Sequence, residues 1–90
     1  MQVNEFNKDP DAVLDYAIDW SAWLADDTIA SAEAIADEGI VVESDAMVGS
    51  QHVIWISGGD VRRSYIITSR ITTAAGRIDD RSLKIFVIER

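Results

Sequence analysis

The last third of the chain carries the clearest pattern of alternating apolar and β-branched positions. Residues 64–73 form one long run rich in Ile and Thr, a turn with glycine follows at residues 74–77, and a second apolar run covers residues 83–88. Two runs of this composition joined by a short glycine-containing turn are typical of a β-hairpin. The pattern therefore predicts two paired strands at this end of the domain.

Residues 13–20 alternate between apolar and polar positions. The apolar set is Leu14, Tyr16, Ile18 and Trp20. Alternation with a period of two predicts a half-buried strand, here one that runs into a tryptophan-containing turn. An amphipathic helix over residues 11–24 is the alternative, because positions 13, 14, 17, 18 and 21 also form an acceptable helical stripe.

The middle of the chain continues the β pattern, with one segment that also fits a helix. Residues 28–36 alternate, although their alanines and a possible cap at Asp27 or Thr28 would also suit a helix. Residues 40–44 and 52–57 have strong β character, and turns are expected near Gly39, at residues 49–51 and at residues 58–60.

Turn signals that recur about every ten residues indicate an all-β domain. We predict a single immunoglobulin-like β-sandwich of six to seven antiparallel strands over residues 11–90. Residues 1–10 are polar, contain the only proline, Pro10, and lack a sustained period. They are predicted to form a short, flexible N-terminal arm that is able to order on a neighbouring subunit.

Charge is divided unevenly along the 90 residues, whose net charge is −8. Residues 1–45 carry twelve acids and one Lys, whereas residues 46–90 carry four acids and seven Arg or Lys. This acidity argues against nucleic-acid binding, which depends on attraction to phosphate. If the division persists on the surface, the molecule has an acidic side and a weakly basic side, which would favour head-to-tail contacts between copies.

Other classes of protein are disfavoured by composition. The chain has no cysteine, so neither a disulfide framework nor a thiolate metal site is available. No apolar run approaches the roughly 20 residues that span a bilayer, and the start of the chain lacks the pattern of a cleaved signal. We therefore expect a soluble protein with no membrane contact.

The large aromatic residues are expected to divide between core and surface. Trp55 lies mid-strand in an apolar run and is predicted to fill the core, and Trp20 closes the inward face of its strand. Trp23 is a candidate partner-binding residue, because an exposed Trp often marks an interface. Tyr65 heads the long strand, where its hydroxyl is expected to bond to nearby backbone at a corner.

The C-terminal strand supplies two further candidates for partner binding, Phe86 and Ile88. Leu83, Ile85 and Val87 would occupy one face of this strand and Phe86 and Ile88 the other, so both faces are apolar. Such a strand is either buried on both faces or contacts a partner with one of them.

No catalytic, cofactor-binding or metal-binding residues are predicted. His52 is the only histidine, and no Ser and Asp accompany it at a recognisable spacing, so a hydrogen-bonded or surface side chain is the preferred interpretation over a general base. Paired acids at residues 26–27, 37–38 and 79–80 could gather to hold Ca²⁺. None matches a calcium-binding loop, and we interpret them as solvated turn residues.

Several segments together resemble a family of small structural proteins from tailed phages and prophages, of the fiber-tail adaptor type. The matching segments are residues 8–24, 27–31, 55–59, 65, 70–77 and 80–82. The resemblance covers residues 8–90. Where family members carry Trp-Thr-Val-Pro or a similar sequence, this chain has Ala32-Glu33-Ala34-Ile35 and lacks the proline, so a local difference is expected there.

The resemblance implies a virion structural protein, a head-tail or tail-fibre adaptor or decoration subunit that acts by protein–protein contact without enzymatic activity. Its partners would be other tail, fibre or connector proteins, with several copies in the particle and with assembly in the host bacterial cytoplasm. Two alternatives remain open. One is a receptor- or carbohydrate-binding module that uses Trp23 and nearby acids, and the other is a prophage protein that binds one host protein.

Overall fold

The computed structural model describes residues 4–89 and contains seven strands and one helical turn in this range. In chain order the elements are β1 (Asn4–Lys8), β2 (Leu14–Asp19), α1 (Ser21–Leu24), β3 (Ile29–Ala36), β4 (Ile40–Val48), β5 (Gln51–Gly58), β6 (Ser64–Thr73) and β7 (Ile78–Val87). The predicted strand at residues 13–20 and the tryptophan-containing turn after it are confirmed. A helix over residues 11–24 is not observed, since α1 is a single turn.

The strands form two sheets, of order β1-β7-β6-β3 and β2-β5-β4. We call them sheet A and sheet B. This is the strand arrangement of an immunoglobulin-like sandwich in which the first strand has joined the sheet that holds the last one. The predicted sandwich is therefore confirmed, and so is the hairpin, because β6 and β7 pair continuously from Ser64 with Phe86 to Thr72 with Ile78.

The N-terminal segment differs from its prediction in two respects. Asn4–Lys8 is a strand rather than a flexible arm, and it pairs with β7 in parallel, whereas all other pairs are antiparallel. The Phe6 ring packs at 5.0 Å from the Tyr16 ring, and the Lys8 side chain is fully buried. These contacts join segments distant in sequence, so local periodicity did not indicate them. Residues 1–3 of the predicted arm lie outside the described residues.

The core lies between the two sheets and is built from the inward positions of their central strands. Ile54 and Ile56 of sheet B face Ile67, Ile71 and Ile85 of sheet A, and all five side chains have no exposed surface. Burial of such side chains contributes about 1.5–3 kcal/mol each to folding. The alternation over residues 28–36 prevails over the helix propensity of its alanines, because a strand places Ala32, Ala34 and Ala36 against this core.

The burial of Trp20 and Trp55 agrees with the prediction only for Trp20. Trp20 is fully buried, as expected, but Trp55 is 42% exposed and lies on the outer face of sheet B. The prediction that Trp55 fills the core is wrong. The inward positions of β5 are taken by His52, Ile54 and Ile56, and a period of two then turns Trp55 outward.

Tyr65 closes the corner between β5 and β6, as predicted. Its hydroxyl oxygen accepts a hydrogen bond of 2.9 Å from the Asp60 amide, and its ring lies between Gly39 and Gly59. A Cβ atom built on Gly59 would stand 2.7 Å from Val87 Cγ2 and 3.2 Å from Tyr65 Cε2, so the corner requires glycine for space as well as for its φ of +92°.

We predict that Gly59→Ala lowers the free energy of unfolding by about 2–4 kcal/mol, because a positive φ and overpacking each cost 1–3 kcal/mol. Gly76→Ala is the matched control, since its φ is +90° but nothing lies within 4 Å of the added methyl. Urea unfolding at neutral pH should show the smaller loss for Gly76→Ala. Equal losses would contradict the close packing at Gly59.

Candidate functional site

The outer face of sheet B carries an apolar centre. Along β5, the side chains of Val53 and Trp55 point away from the core, because the alternate positions His52, Ile54 and Ile56 are fully buried. A strand face that contacts only water normally carries polar residues, and a half-exposed Trp in its middle is therefore notable.

Small residues flank this centre. The pairing of β5 with its two neighbours places Val53 between Ala17 of β2 and Ala46 of β4. The same pairing places Trp55 between Asp15 and Ser44. No bulky side chain on the adjacent strands stands beside Val53, so the central part of the face is flat and accessible.

Charge on this sheet is of one sign. The strands of sheet B contain four acids and no Lys or Arg, namely Asp15, Asp19, Glu43 and Asp45. The strands of sheet A contain four acids and four Lys or Arg. The uneven distribution of charge along the sequence therefore corresponds to an acidic sheet B and a sheet A whose strands carry no net charge. We call the outer face of sheet B around Val53 and Trp55 the Trp55 face. Ala17 and Ala46 lie beside these two residues, and Asp15, Asp19 and Glu43 lie at the rim of the face.

Phe86 and Ile88, predicted from sequence as partner-binding residues, lie at the end of β7. Phe86 is 38% exposed on the outer face of sheet A, between Asn7 of β1 and Ser64 of β6. Ile88 follows the strand and is half-buried, and its amide donates a 2.8 Å hydrogen bond to the Lys8 carbonyl. The opposite positions Leu83, Ile85 and Val87 are buried. Phe86 thus remains available to a partner, whereas the Ile88 backbone also holds β1.

Trp23, the third predicted partner-binding residue, is engaged within the molecule. Its ring meets the buried Trp20 edge-on at 5.4 Å, and the Arg77 guanidinium covers it at 4.2 Å from the ring centre. Arg81 lies over Trp20 in the same way, at 4.5 Å. Because Arg77 occupies its face, Trp23 stabilises the fold here as part of a cluster of two Trp and two Arg side chains.

Asp27 ties this cluster to the β6–β7 turn. Its carboxylate accepts hydrogen bonds from the Thr28 and Ala75 amides, and from Arg77 Nε at 3.1 Å. The pKa of Asp27 is about 2, well below its ordinary value. The Thr73 hydroxyl is the largest cause, and the Thr28 amide and Arg77 guanidinium act in the same direction.

A chain of hydrogen bonds crosses the core near Trp20. Trp20 Nε1 donates to Ser69 Oγ at 3.1 Å, Ser69 Oγ lies 2.7 Å from His52 Nδ1, and His52 Nε2 lies 2.7 Å from Asp45 Oδ2. All donors and acceptors match when Ser69 donates to Nδ1 of a neutral His52, whose Nε2–H donates to Asp45.

His52 is a hydrogen-bonded side chain, as preferred from sequence, but its partners Asp45 and Ser69 lie at no recognisable spacing from it along the chain. Asp45, His52 and Ser69 come from β4, β5 and β6, and their meeting depends on strand register and on sheet stacking. His52 and Ser69 have no exposed surface. The Ser69 hydroxyl therefore has no access to a substrate, and the chain of hydrogen bonds acts as a connection between the sheets.

Two other polar groups near the N-terminal strand are buried. Lys8 Nζ donates to the carbonyls of Asp9 and Gly58, both at 2.8 Å, and burial lowers the pKa of Lys8. The hydroxyl of Tyr16 has no hydrogen-bond partner, and burial raises its pKa. The Lys8 ammonium thereby links β1 to the end of β5.

Most of the paired acids at residues 26–27, 37–38 and 79–80 form contacts within the molecule. Asp80 accepts two hydrogen bonds from Arg70, at 2.8 and 3.0 Å, and Asp27 binds Arg77. Within the part of the chain that the structure describes, no three His, Cys, Asp or Glu side chains are grouped to hold a metal ion. Among the same residues, no helix is long and apolar enough to cross a membrane.

With this geometry established, comparison with known families decides the class of protein. The model of the family described as Podophage GP4 fiber-tail adaptor protein gp77 matches residues 8–86. The chain belongs to this family. The resemblance inferred from sequence segments is confirmed, and the chain is a phage structural adaptor of the tail-fibre type and a component of the virion. No curated protein matches the chain at a significant level.

The family match covers most of the sandwich. The matched range begins at Lys8, the last residue of β1, and ends at Phe86 in β7, so it includes β2 to β6, nearly all of β7 and the connections between these strands. The outer faces of the adaptor's two sheets are therefore the surfaces to consider for contact with other tail or fibre proteins.

We predict that Ser69→Ala destabilises the fold by about 2–4 kcal/mol, because it leaves Trp20 Nε1 and His52 Nδ1 buried without their partner. Ser82→Ala on the neighbouring strand is the control, since Ser82 is half-buried and bonds only to Thr68 at 3.1 Å. Urea unfolding should give a loss below about 1 kcal/mol for the control. A small loss for Ser69→Ala would contradict a structural role of the hydrogen-bond chain.

The stability of the fold is expected to fall in acid as Asp27 becomes protonated. Because the folded pKa of Asp27 is about 2 and the unfolded value is about 3.9, ionised Asp27 stabilises the fold above pH 4. This stabilisation is lost as the pH falls from about 4 to 2. Asp27→Asn should be less stable than wild type at pH 6 and should lose less stability between pH 4 and 2, measured by urea unfolding. The exposed neighbour provides the control Asp26→Asn, which should retain the wild-type slope.

Proposed function

We propose that this adaptor joins a tail fibre to the phage tail by protein–protein contact alone, without a catalytic step. The observation that carries the proposal is the family match over residues 8–86, which covers the sandwich from the end of β1 to β7. The partners are a fibre protein and a tail protein, and the adaptor is assembled onto the particle in the host cytoplasm.

The geometry supports contact rather than catalysis. The only Ser, His and Asp that meet in the described structure are sealed in the core at Ser69 and His52. The surface, in contrast, carries half-exposed aromatic residues on both sheets, Trp55 on sheet B and Phe86 on sheet A. A joining protein needs two such surfaces, one for each partner.

The carbohydrate-binding alternative receives less support. It depended on an exposed Trp23, and sugar recognition by Trp uses the open face of the ring. The Arg77 guanidinium occupies that face and is itself held by Asp27 and by the Leu24 carbonyl, to which it donates at 3.1 Å.

We predict that particles from a phage with this gene deleted lack fibres, and that supplying the wild-type protein restores them. Electron microscopy of purified particles counts the fibres, and mass spectrometry counts the adaptor copies per particle. The copy number should match the rotational symmetry of the tail, because virion parts repeat by symmetry. Fibres on deletion particles, or absence of the protein from wild-type particles, would refute the proposed function.

A further inference from the structure

We propose that the Trp55 face is the surface by which the adaptor holds one neighbouring virion protein, and that the partner surface carries Lys and Arg around an apolar centre. This inference rests on the proposed adaptor function and assigns a place and a chemistry to one of its contacts.

The apolar centre of the face has the features of an interface core. Trp55 is 42% exposed although it lies in the middle of the central strand, and Val53 lies next to it on the same face. Ala17 and Ala46 beside Val53 leave the surface flat, so a partner can approach closely. Trp in such a setting is among the residues that contribute most to binding.

Further apolar surface extends the centre along the edge strand β4. Val41 is 49% exposed and Val48 is 63% exposed, one near each end of that strand. The exposed apolar area thus follows the sheet from β5 to its edge. On sheet A, by comparison, Phe86 is flanked on its two neighbouring strands by the polar residues Asn7 and Ser64.

The rim of the face defines the charge of the partner. Asp15 and Asp19 lie on β2, and Glu43 lies on β4, where it accepts a 2.8 Å hydrogen bond from the Ser57 hydroxyl. No Lys or Arg is present on the three strands of this sheet. A protein with basic residues around its own apolar patch would associate faster with this acidic rim and would bind in a defined orientation.

A second copy of the adaptor does not fit this surface. Two copies that met by the same face would place Asp15, Asp19 and Glu43 against one another, and like charges in an interface are unfavourable. The outer face of sheet A does not supply a basic partner, because Arg70 binds Asp80 and Lys84 lies 3.6 Å from Glu5. The complementary surface therefore belongs to a different virion protein.

Single cysteines provide a direct test, because the chain has none of its own. Ala46→Cys reports on the Trp55 face, and Ser64→Cys is the matched control beside Phe86 on sheet A; both positions are exposed on strands. Each variant supplied to the deletion phage is labelled with a maleimide, as free protein and in purified particles.

We expect assembly to slow the labelling of Ala46→Cys by about tenfold or more, because the centre of an interface excludes water. Equal labelling of Ala46→Cys in the free and assembled states would overturn the proposal, whatever happens at Ser64→Cys. Protection of Ser64→Cys together with Ala46→Cys supports the proposal and locates the second contact of the adaptor on sheet A.

The charge of the partner is tested by a carbodiimide, which joins carboxylates directly to lysines. Cross-links in wild-type particles from Asp15, Asp19 or Glu43 to lysines of another virion protein would support the basic rim. Cross-links confined to carboxylates of sheet A, such as Glu33, would overturn it.

The two proposals fail in distinguishable ways. Fibres on deletion particles refute the fibre-joining function, yet protection of Ala46→Cys in the particle would still demonstrate a contact at the Trp55 face. If deletion of the gene removes the fibres but assembly does not protect Ala46→Cys, the proposed function stands and the Trp55 face is refuted as the contact surface. Trp55→Ala should reduce the fibre number relative to wild type while the purified protein remains folded.

Discussion

The hydrogen bonds that Ser69 makes across the core hold the two sheets in one relative position. Apolar contacts between sheets are not directional, and Ile side chains alone would allow one sheet to slide over the other. Ser69 of sheet A bonds to His52 of sheet B and accepts from Trp20, which follows β2. A shift of one sheet over the other would break these bonds and leave Ser69, His52 and Trp20 Nε1 buried without partners.

The same constraint organises one end of the sandwich. Trp20 is fixed by its bond to Ser69, Trp23 packs on Trp20, and Arg77 packs on Trp23. Asp27 then holds Arg77 beside the turn between β6 and β7. Trp23, which the sequence predicted to bind a partner, thereby joins the connection after β2 to the β6–β7 hairpin. The exposed aromatic residues Trp55 and Phe86 lie instead on the outer faces of the two sheets.

The outer faces of the two sheets differ in charge and in exposed apolar surface. Sheet B presents a flat apolar centre with acids only, whereas sheet A presents Phe86 among paired charges such as Arg70 and Asp80. Immunoglobulin-like topology distributes the strands of the acidic first half and the mixed second half between both sheets. Sheet B is acidic because β2 and β4, which both come from the acidic first half, carry all four of its acids and β5 carries no charge.

The sequence by itself determined the class of fold, the family and several local features. Alternation located β2 and the β6–β7 hairpin, and the position of Tyr65 at the head of a strand was sufficient to predict its bond to nearby backbone. These features depend on neighbours along the chain. Only the tertiary structure decided the outward position of Trp55, the meeting of Asp45, His52 and Ser69, and the parallel pairing of β1. Both faces of β5 carry apolar residues, so a period of two shows that Trp55 and Ile54 face opposite sides but not which side is covered. That choice is made by the other sheet, whose register and stacking bring together residues far apart in sequence.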